Sequence, residues 1–381
     1  MSEWKKVSLS EMGIVSRGKS KHRPRNDARL YGGRYPFIQT GDIGAAGLYV
    51  TDYSQTYNEE GLAQSKLWEV NTLCITIAAN IADTALLAFP ACFPDSIMGF
   101  VPYKNVANVK YVKYCFDILK KDCQQISQGT AQDNLSWKKL STIKFPCPPL
   151  EVQNRIATIL SRYDSLIENY QKQIKLLEEA AQRLYKEWFV DLHFPGHENT
   201  KIDDGVPEGW NSSKLGQLAE FKRGKTITKK DVVDGPIPVV AGGLEPAYYC
   251  NKSNTAERVI TVSGSGANAG FTRMYFEKVW ASDCSYVDSE TTPYLHFVYC
   301  YLKDNKTTID NMQKGAAQPH VYAKDINALE LCIPIEDVLK NFEKKVSSYY
   351  NTISSLLSQI RLLTEARDRL LPKLMSGEIA V

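Results

Sequence analysis

Long apolar runs, paired cysteines and a strong net charge are all missing from this 381-residue sequence. Its longest apolar stretches, such as residues 73–79, fall far short of the ~18 residues that a membrane-spanning helix needs. No apolar stretch follows the lysines near the start, so we expect no signal peptide. Because 43% of the residues are hydrophobic and 23% are charged, the sequence predicts a folded globular protein with no membrane association.

Cysteine and histidine spacing argues against a metal or redox site. The nine cysteines are odd in number, dispersed and never spaced as C-x-x-C. His193 and His197 are four residues apart, but Pro195-Gly196 between them would break any helix that could present them together. We therefore expect no bound metal and a reduced, cytoplasmic protein.

Sequence motifs for catalysis are missing as well. No Walker A sequence, no Asn/Asp-Pro-Pro-Tyr/Phe motif and no acidic-acidic-Lys nuclease pattern occurs. The glycine-rich residues 263–270 lack the G-x-G-x-x-G spacing, and a strand-like segment follows them instead of a helix. A strand-to-strand turn is the better interpretation of that run. The sequence predicts no catalytic site in this chain.

An internal repeat is the most informative feature that the sequence does contain. The paired segments keep the same order, and their offset decreases from 206 to about 186 residues, as variable insertions would produce. The pairs are residues 4–19 with 210–225, 35–42 with 235–242, 75–82 with 260–267, and 128–135 with 314–321.

Each copy of the repeat ends in a segment that predicts a long helix with one narrow apolar seam. The seam residues alternate in steps of four and three, which is the pattern of a coiled coil. The first seam contains Ile156, Leu160, Tyr163, Ile167, Ile174 and Leu177, and the second contains Phe342, Val346, Tyr349, Ile353, Ile360 and Leu363. Only Arg367 interrupts the second seam. The partner of such a seam is a core, an identical chain or the other copy, and two matched copies in one chain favour an antiparallel intramolecular coiled coil.

Outside these helices, short β-rich runs and turns surround one helix-like stretch in each half. The predicted fold class is therefore α+β: two mixed α/β domains separated by two long helices, with a pseudo-two-fold repeat. We predict a first domain over 1–148, a first long helix over 149–192, a linker and second domain over 193–333, and a second long helix over 334–381.

Charge distribution qualifies the small net charge of +3. Two clusters of cations occupy the same place in the repeat, and each contains few acids. The first contains Arg17, Lys19, Lys21, Arg23, Arg25, Arg29 and Arg34, and the second contains Lys222, Arg223, Lys225, Lys229 and Lys230. A solvated surface is the usual role of such a cluster, but two at equivalent positions favour binding to the phosphates of nucleic acid.

Candidate contact residues follow from these clusters and from paired polar loops. We expect contacts to the phosphate backbone from Lys19, Arg23, Arg25, Arg223, Lys225 and Lys229. The polar loops ahead of the helices contain Gln128, Thr130, Gln132, Lys314 and Gln318, which are either base readers or turn formers.

Two further motifs carry a family resemblance. They are Pro148-Pro-Leu-Glu-Val-Gln-Asn-Arg-Ile-Ala after the first domain and Leu370-Leu-Pro-Lys-Leu-Met-Ser-Gly-Glu-Ile at the end. With the two divergent halves and the copied helices, they make the sequence resemble the specificity subunit of type I restriction–modification enzymes over essentially its whole length. The second helix opens with Ile333-Pro-Ile-Glu-Asp-Val-Leu, a looser version of the first motif.

This resemblance implies two target-recognition domains that bind an asymmetric bipartite site on double-stranded DNA, and a chain without catalytic activity that serves host defence. It also implies two methyltransferase subunits docked on the helices, and restriction/translocase subunits as further partners. S-adenosylmethionine, ATP and magnesium would bind to those partners and not to this chain. The alternative is a coiled-coil scaffold or adaptor whose two globular domains bind proteins rather than DNA.

Overall fold

Mixed sheets and two long helices make up the computed structural model, which describes residues 4–127, 135–313 and 319–381. The chain divides into two units. Unit 1 contains Met1–Tyr170 and Ser358–Val381, and unit 2 contains Gln171–Leu357. Each unit therefore combines one mixed α/β region with part of both long helices. Within the described ranges, no helix is both long and apolar enough to cross a membrane.

Unit 1 contains a five-stranded, a four-stranded and a two-stranded sheet. Its strands are β1 (Lys5–Val7), β2 (Gly13–Arg17), β3 (Tyr31–Phe37), β4 (Tyr49–Val50), β5 (Gln55–Tyr57), β6 (Leu67–Trp68), β7 (Leu73–Thr76), β8 (Thr84–Leu87), β9 (Ala91–Cys92), β10 (Ile97–Pro102) and β11 (Phe145–Cys147). Its shorter helices are α1 (Leu9–Met12), α2 (Thr40–Ala45), α3 (Glu59–Ala63), α4 (Val109–Ser127) and α5 (Trp137–Leu140). The strand orders are β2–β10–β7–β8–β4, β5–β3–β9–β6 and β1–β11.

Apolar central strands account for the larger sheet of unit 1. Every residue of β7 and β8 is buried, as expected for short apolar runs at the centre of a sheet. Gly99 in β10 packs against the indole of Trp68, and a Cβ at this position would lie 2.5 Å from that ring. Trp68 in turn stacks on Phe93 at 4.8 Å between ring centroids. The larger and smaller sheets of unit 1 therefore pack together at a position that only glycine fits.

Unit 2 contains the equivalent sheets in a shorter form. Its strands are β12 (Ile202–Asp203), β13 (Val206–Pro207), β14 (Asn211–Lys214), β15 (Lys222–Arg223), β16 (Ile237–Val240), β17 (Tyr248–Cys250), β18 (Val259–Ser263), β19 (Thr272–Tyr275), β20 (Trp280–Ala281), β21 (Cys284–Asp288) and β22 (Glu330–Ile333). Its shorter helices are α6 (Leu215–Leu218), α7 (Leu295–Asp304), α8 (Lys306–Asn311) and α9 (Ala323–Asn327). The glycine-rich run joins the antiparallel strands β18 and β19, so it is a strand-to-strand turn as predicted.

Strand order confirms the internal repeat. The order β15–β21–β18–β19 in unit 2 matches β2–β10–β7–β8 in unit 1, and β17–β16–β20 matches β5–β3–β9. Even the parallel pairs correspond, because β16 pairs with β20 as β3 pairs with β9. The small sheets β1–β11 and β14–β22 close the two mixed regions in the same way. The prediction of two mixed α/β domains built on one topology is therefore confirmed.

The two long helices follow these small sheets. The first long helix spans Leu150–Tyr185 and continues into a π-helical turn at Lys186–Val190. The second long helix spans Glu336–Met375 and includes Pro372 in its last turn. The predicted starts at 149 and 334 lie within two residues of these bounds. Gly377, with a φ of +74°, follows the second helix in a conformation that favours glycine.

Within each unit the two helices run antiparallel. In unit 1 the beginning of the first helix shares a core with the end of the second, and Ile156 and Leu160 cluster with Leu374. In unit 2 the end of the first helix shares a core with the beginning of the second, where Tyr185 lies 6.2 Å from Phe342. Apolar seams on both helices are thus covered by the other helix and by the neighbouring mixed region.

Burial of the seam residues varies along the helices. Six of them are buried: Ile156, Leu160, Ile167, Phe342, Val346 and Ile353. The other six are half-buried: Tyr163, Ile174, Leu177, Tyr349, Ile360 and Leu363. Tyr350, which the four-three spacing does not include, is only 2% exposed, and its hydroxyl lies 3.4 Å from Cys300 Sγ. The second helix therefore turns its apolar face by one residue where it meets α7.

Arg367 interrupts the apolar seam because it has a buried partner. Its guanidinium donates to Asp164 at 2.6 Å, and the hydroxyl of Tyr114 donates to the other oxygen of the same carboxylate at 2.5 Å. Asp164 is only 6% exposed, so these two donors replace the contacts with water that its carboxylate loses on burial. This cluster joins the first long helix, the second long helix and α4 within unit 1.

A buried amide anchors the first long helix to the mixed region of unit 1. Gln153 is fully buried, and its amide donates to the carbonyl oxygens of Val106 at 3.0 Å and Pro148 at 2.9 Å. Its own carbonyl accepts the backbone N–H of Asn108 at 3.0 Å. All three are main-chain groups: those of Val106 and Asn108 precede α4, and that of Pro148 precedes the first long helix. The Pro148 motif therefore has a structural role.

Unit 2 anchors its long helix with a charge instead. The carboxylate of Glu343, 9% exposed, accepts the backbone N–H of Phe297 at 2.8 Å and contacts His296 Nδ1 at 2.7 Å. The His296 ring stacks on Tyr350 at 4.5 Å. Leu339 stands at the repeat position of Gln153 and is buried as an ordinary core residue. The two units thus share a backbone framework while their buried polar contacts differ.

Candidate nucleic-acid interface

Basic segment 1, residues 17–34, leaves the sheet at the end of β2. Its backbone is held by neighbouring strands and loops. The N–H of Lys19 donates to the carbonyl of Phe93 at 3.1 Å, and the carbonyl of Lys19 accepts the hydroxyl of Ser65 at 2.7 Å. Gln64 accepts the N–H groups of Lys21 at 2.6 Å and His22 at 3.0 Å. These bonds hold the backbone of the segment in place, while the side chains of Lys21, Arg23 and Arg25 remain exposed.

Acidic side chains neutralise most arginines of basic segment 1. Asp95 forms an ion pair with Arg25, and one of its oxygens lies 3.8 Å from the guanidinium of Arg23. Arg29 lies 2.8 Å from Asp27, and Arg34 lies 3.2 Å from Glu59. None of the ion pairs in the described part of the chain involves Arg17, Lys19 or Lys21.

Asp27 stays ionised in this arrangement. Hydrogen bonds from the guanidinium and the backbone N–H of Arg29, with a further contact from His22, hold the pKa of the Asp27 carboxyl well below its usual range. The carboxylate therefore balances part of the positive charge of basic segment 1 at neutral pH. The predicted contact residues Arg23 and Arg25 lie together at Asp95, whereas Lys19 has no carboxylate partner among the residues that the structure describes.

A polar cleft lies beside Arg25. Its volume is about 410 Å³, and its lining comprises Arg25, Asn26, Tyr31, Phe37, Gln39, Thr40, Gln55, Pro94 and Ser96. The Gln39 side-chain amide donates to Gln55 Oε1 at 2.8 Å. Burial raises the pKa of Tyr31 to about 12, so its hydroxyl is a neutral donor, and it donates to the carbonyl of Arg25 at 2.7 Å. Sequence reasoning missed this cleft, because β3 and β5 bring its residues together from separate parts of the chain.

Basic segment 2, residues 222–230, starts at β15, which is the equivalent of β2. Its N–H groups bond to the neighbouring strands: Gly224 donates to Cys284 at 2.8 Å and Lys225 donates to Ala281 at 2.9 Å. A Cβ on Gly224 would lie 2.4 Å from the carbonyl oxygen of Ser282, so this close approach requires glycine. The segment therefore lies directly against the sheet.

Cations of basic segment 2 have no acidic partner among the described residues. Lys222, Arg223, Lys225, Lys229 and Lys230 are all exposed, and none of them takes part in an ion pair there. The nearby Asp231 accepts the hydroxyl of Thr228 at 2.6 Å instead. The predicted contact residues Arg223, Lys225 and Lys229 thus form an exposed and uncompensated positive patch.

The remaining predicted residues fall elsewhere. Gln128, Thr130, Gln132, Lys314 and Gln318 lie outside the described residues. The described part of the chain contains no group of three or more His, Cys, Asp or Glu side chains that could hold a metal ion. His193 and His197 do come close, with ring centroids 5.3 Å apart, but no third ligand accompanies them.

A comparison with protein families gives one match that covers most of the chain. Residues 1–179 and 207–362 match the family model described as type I restriction modification DNA specificity domain. The two matched segments correspond to the two copies of the repeat, each with part of its long helix.

Relatives and solved structures agree with this match. The specificity subunit of the type I restriction enzyme MjaIX from Methanocaldococcus jannaschii is 26% identical over 410 aligned residues, which cover 100% of this chain and 94% of the relative. The corresponding subunit of HindI from Haemophilus influenzae is 22% identical and is covered completely. The crystal structure of a type I restriction–modification S subunit from M. genitalium aligns with a TM-score of 0.63 and 16% identity over 97% of this chain and 96% of that one. The last likeness shows a shared fold.

Proposed function

Because the chain belongs to the type I restriction–modification DNA specificity family, we propose that it selects the DNA sequence on which a multi-subunit enzyme acts. The observation that carries this proposal is the repetition of a basic segment after the same strand of the same sheet, β2 in unit 1 and β15 in unit 2. A single basic loop is usually a solvated surface. If both domains contact DNA, each needs a basic segment, and here two such segments follow equivalent strands.

The two basic segments would contact phosphates, and side chains beside them would read bases. Lys19 and the cations of basic segment 2 have no carboxylate partner among the described residues, so phosphate oxygens would be their first strong acceptors. Arg23 and Arg25 would exchange Asp95 for phosphate, which is feasible because exposed ion pairs contribute little.

One topology with two different sets of side chains supports the proposal of an asymmetric, bipartite target. Unit 1 presents a cleft lined by glutamines and aromatic rings. Unit 2 presents Arg223 beside His320 and Tyr322, whose rings stack 5.8 Å apart. Because these surfaces differ in donors, acceptors and charge, each unit would recognise a different half of the site on double-stranded DNA.

Catalysis would belong to partner subunits. We propose that two methyltransferase subunits dock on the long helices, and that S-adenosylmethionine, ATP and magnesium bind to those and to restriction/translocase subunits. Leu176 and Leu362, separated by the repeat offset of 186 residues, are 61% and 59% exposed on the two long helices. Exposed leucines at equivalent positions are suitable contacts for two copies of one partner. All nine cysteines are unpaired, which agrees with a role on chromosomal DNA in the reducing cytoplasm.

Salt dependence of DNA binding tests the proposal. The complex of this chain with methyltransferase subunits is titrated with labelled duplex between 50 and 200 mM salt. If Lys19, Arg223, Lys225 and Lys229 each meet one phosphate, and Arg23 and Arg25 with Asp95 neutralise one more, the logarithm of the affinity should fall with the logarithm of the salt concentration with a slope of about −4.5. The isolated chain should transfer no methyl groups.

A slope near zero would contradict the proposal and favour a scaffold whose domains bind proteins. Methyl transfer by the isolated chain would contradict the assignment of catalysis to partners. Either result is independent of which bases the target contains.

A further inference from the structure

Two glutamines meet at the edge of the smaller sheet in unit 1, at the cleft beside Arg25. Gln55 begins β5, the edge strand of that sheet, and pairs with Phe37 at the end of β3. Gln39 follows β3 by two residues and lines the same cleft. Antiparallel pairing therefore makes the two exposed side chains neighbours, although 15 residues separate them in sequence.

The hydrogen bond between the two amides leaves a donor on one residue and an acceptor on the other. Gln39 Nε2 donates to Gln55 Oε1 at 2.8 Å. A side-chain amide has two N–H donors and one carbonyl oxygen with two lone pairs. Gln55 Nε2 makes no hydrogen bond among the described residues and keeps both donors. Gln39 Oε1 faces the backbone N–H of Asp42 in the capping box of α2 and keeps one lone pair as an acceptor.

Such a combination complements one base edge in the major groove. Adenine presents N7 as an acceptor and the N6 amino group as a donor, and a glutamine amide can bond to both. Here the donor from Gln55 would meet N7, and the acceptor on Gln39 would meet the N6 amino group. Guanine presents two acceptors, N7 and O6, so the acceptor on Gln39 would face an oxygen without a proton.

Neighbouring groups hold this pair in place and supply charge. The backbone N–H of Gln39 donates to the carboxylate of Asp42 at 2.7 Å, which holds the chain where it leaves β3. Arg25 lines the same cleft and is oriented by Asp95. A cation beside a donor–acceptor pair combines one contact to a phosphate with one contact to a base, as sequence-reading surfaces do.

We infer that Gln39 and Gln55 together read one A·T base pair in the half-site contacted by unit 1. The inference rests on the proposed function, because it requires DNA at this face of unit 1. Gln39 and Gln55 would then determine specificity, although the sequence pattern indicated neither residue. The competing explanation is that the amide pair only links β3 and β5. The experiment must distinguish this structural role from base recognition.

The experiment measures discrimination at single base pairs. The complex with methyltransferase subunits competes for duplexes in which each position of its target is replaced in turn. Replacing one A·T pair in the half-site contacted by unit 1 lowers the affinity of the unsubstituted complex for DNA. In the Gln39→Ala and Gln55→Ala variants this loss of affinity should be about tenfold smaller. Penalties at all other positions should stay unchanged. Gln55→Glu should shift the preference at that position toward C·G, because a carboxylate accepts from the cytosine amino group.

Gln125→Ala provides the matched control, because Gln125 is an exposed glutamine on α4, away from the cleft. Unchanged penalties in both variants would overturn the inference and assign the amide pair a structural role. Penalties that fall at many positions in both half-sites would also overturn it, since they indicate general loosening. If the unsubstituted complex shows no preference at any position, the proposed function itself fails, and that outcome is visible before any variant is made.

Discussion

Basic segment 1 and basic segment 2 occupy the same position in the repeat, yet their charges are compensated differently. In unit 1, Asp95, Asp27 and Glu59 pair with four arginines. In unit 2, the five cations of the segment have no ion pair among the described residues. Equivalent backbone positions therefore do not imply equivalent electrostatics, and the two halves of a DNA site should be held with different strength and salt dependence.

A second difference between the units lies at their junctions with the long helices. Gln153 satisfies three backbone groups in unit 1, and Glu343 satisfies one backbone group and a histidine in unit 2. The strands that the two units share have the same order, although unit 1 has two additional edge strands, β4 and β6. The repeat thus preserves backbone topology, while each unit has its own solution for burying polar groups.

Substitution of Gln153 or Glu343, the buried polar residues at the junctions with the long helices, should cause the largest loss of stability. Each substitution should affect one unit only. Gln153→Leu removes the partner of one buried and two part-buried backbone groups, so the free energy of unfolding should fall by about 3 kcal/mol. Glu343→Leu should lower the free energy of unfolding by less, because it also removes a carboxylate whose burial is itself unfavourable. Hydrogen exchange should accelerate in unit 1 for the first variant and in unit 2 for the second. Acceleration spread over both units would contradict the comparison, and Gln125→Leu serves as the control.

Substitution of the exposed leucines should have the next largest effect. Leu176→Asp and Leu362→Asp should each weaken the binding of a methyltransferase subunit by about 30-fold, since a buried aspartate replaces an apolar contact. Titration of the chain with that subunit measures the stoichiometry and both affinities. The two variants should behave alike because the positions are equivalent in the repeat, and Val70→Asp, at an exposed site in unit 1, should leave binding unchanged. Unequal effects would show that the helices are not equivalent docking sites.

Charge removal should distinguish the two basic segments more modestly. Arg223→Ala with Lys225→Ala removes two uncompensated cations, so the salt slope should fall by about 2. Arg23→Ala with Arg25→Ala should reduce it by about 1, because these arginines and Asp95 together carry a net charge of +1. Equal reductions would refute the electrostatic difference between the units. Lys201→Ala with Lys214→Ala, at exposed positions outside the segment, controls for the overall change in charge.

The smallest predicted effect is a gain. Asp95→Asn removes the carboxylate that Arg23 and Arg25 share, so both guanidinium groups become available to phosphates. DNA affinity at low salt should rise a few-fold, about 1 kcal/mol, and the salt slope should steepen. Asp122→Asn, an exposed acid on α4, should produce a smaller change. A loss of affinity would mean that Asp95 positions the arginines for DNA.

Features that depend on local spacing could be predicted from the sequence. The internal repeat, the two long helices and the mixed sheets all follow from periodicity and turn residues. The sequence pattern shows Arg367 as the one interruption of the second seam. The explanation for it is the carboxylate of Asp164, which lies 203 residues away in sequence. Tyr350 is buried beside the half-buried Tyr349 because α7 packs there, and the periodicity of the helix alone does not predict this contact.

Features that depend on contacts between distant residues could not be predicted. Asp95 lies 70 residues after Arg25, so the first cluster reads as uncompensated until the fold is known. The Gln39–Gln55 pair requires the register of β3 on β5. Gln153 belongs to a motif that carried the family resemblance, but its three hydrogen bonds appear only in the folded junction.

Mapping of methylated bases in the DNA of cells that express the complete complex tests DNA selection by two units most directly. Two different short sequence blocks should emerge, separated by a spacer of constant length without base preference, since each unit carries its own contact surface. Arg223→Ala with Lys225→Ala should weaken methylation without changing the block read by unit 1. One continuous block, two identical blocks, or methylation without sequence preference would contradict recognition by two differing units.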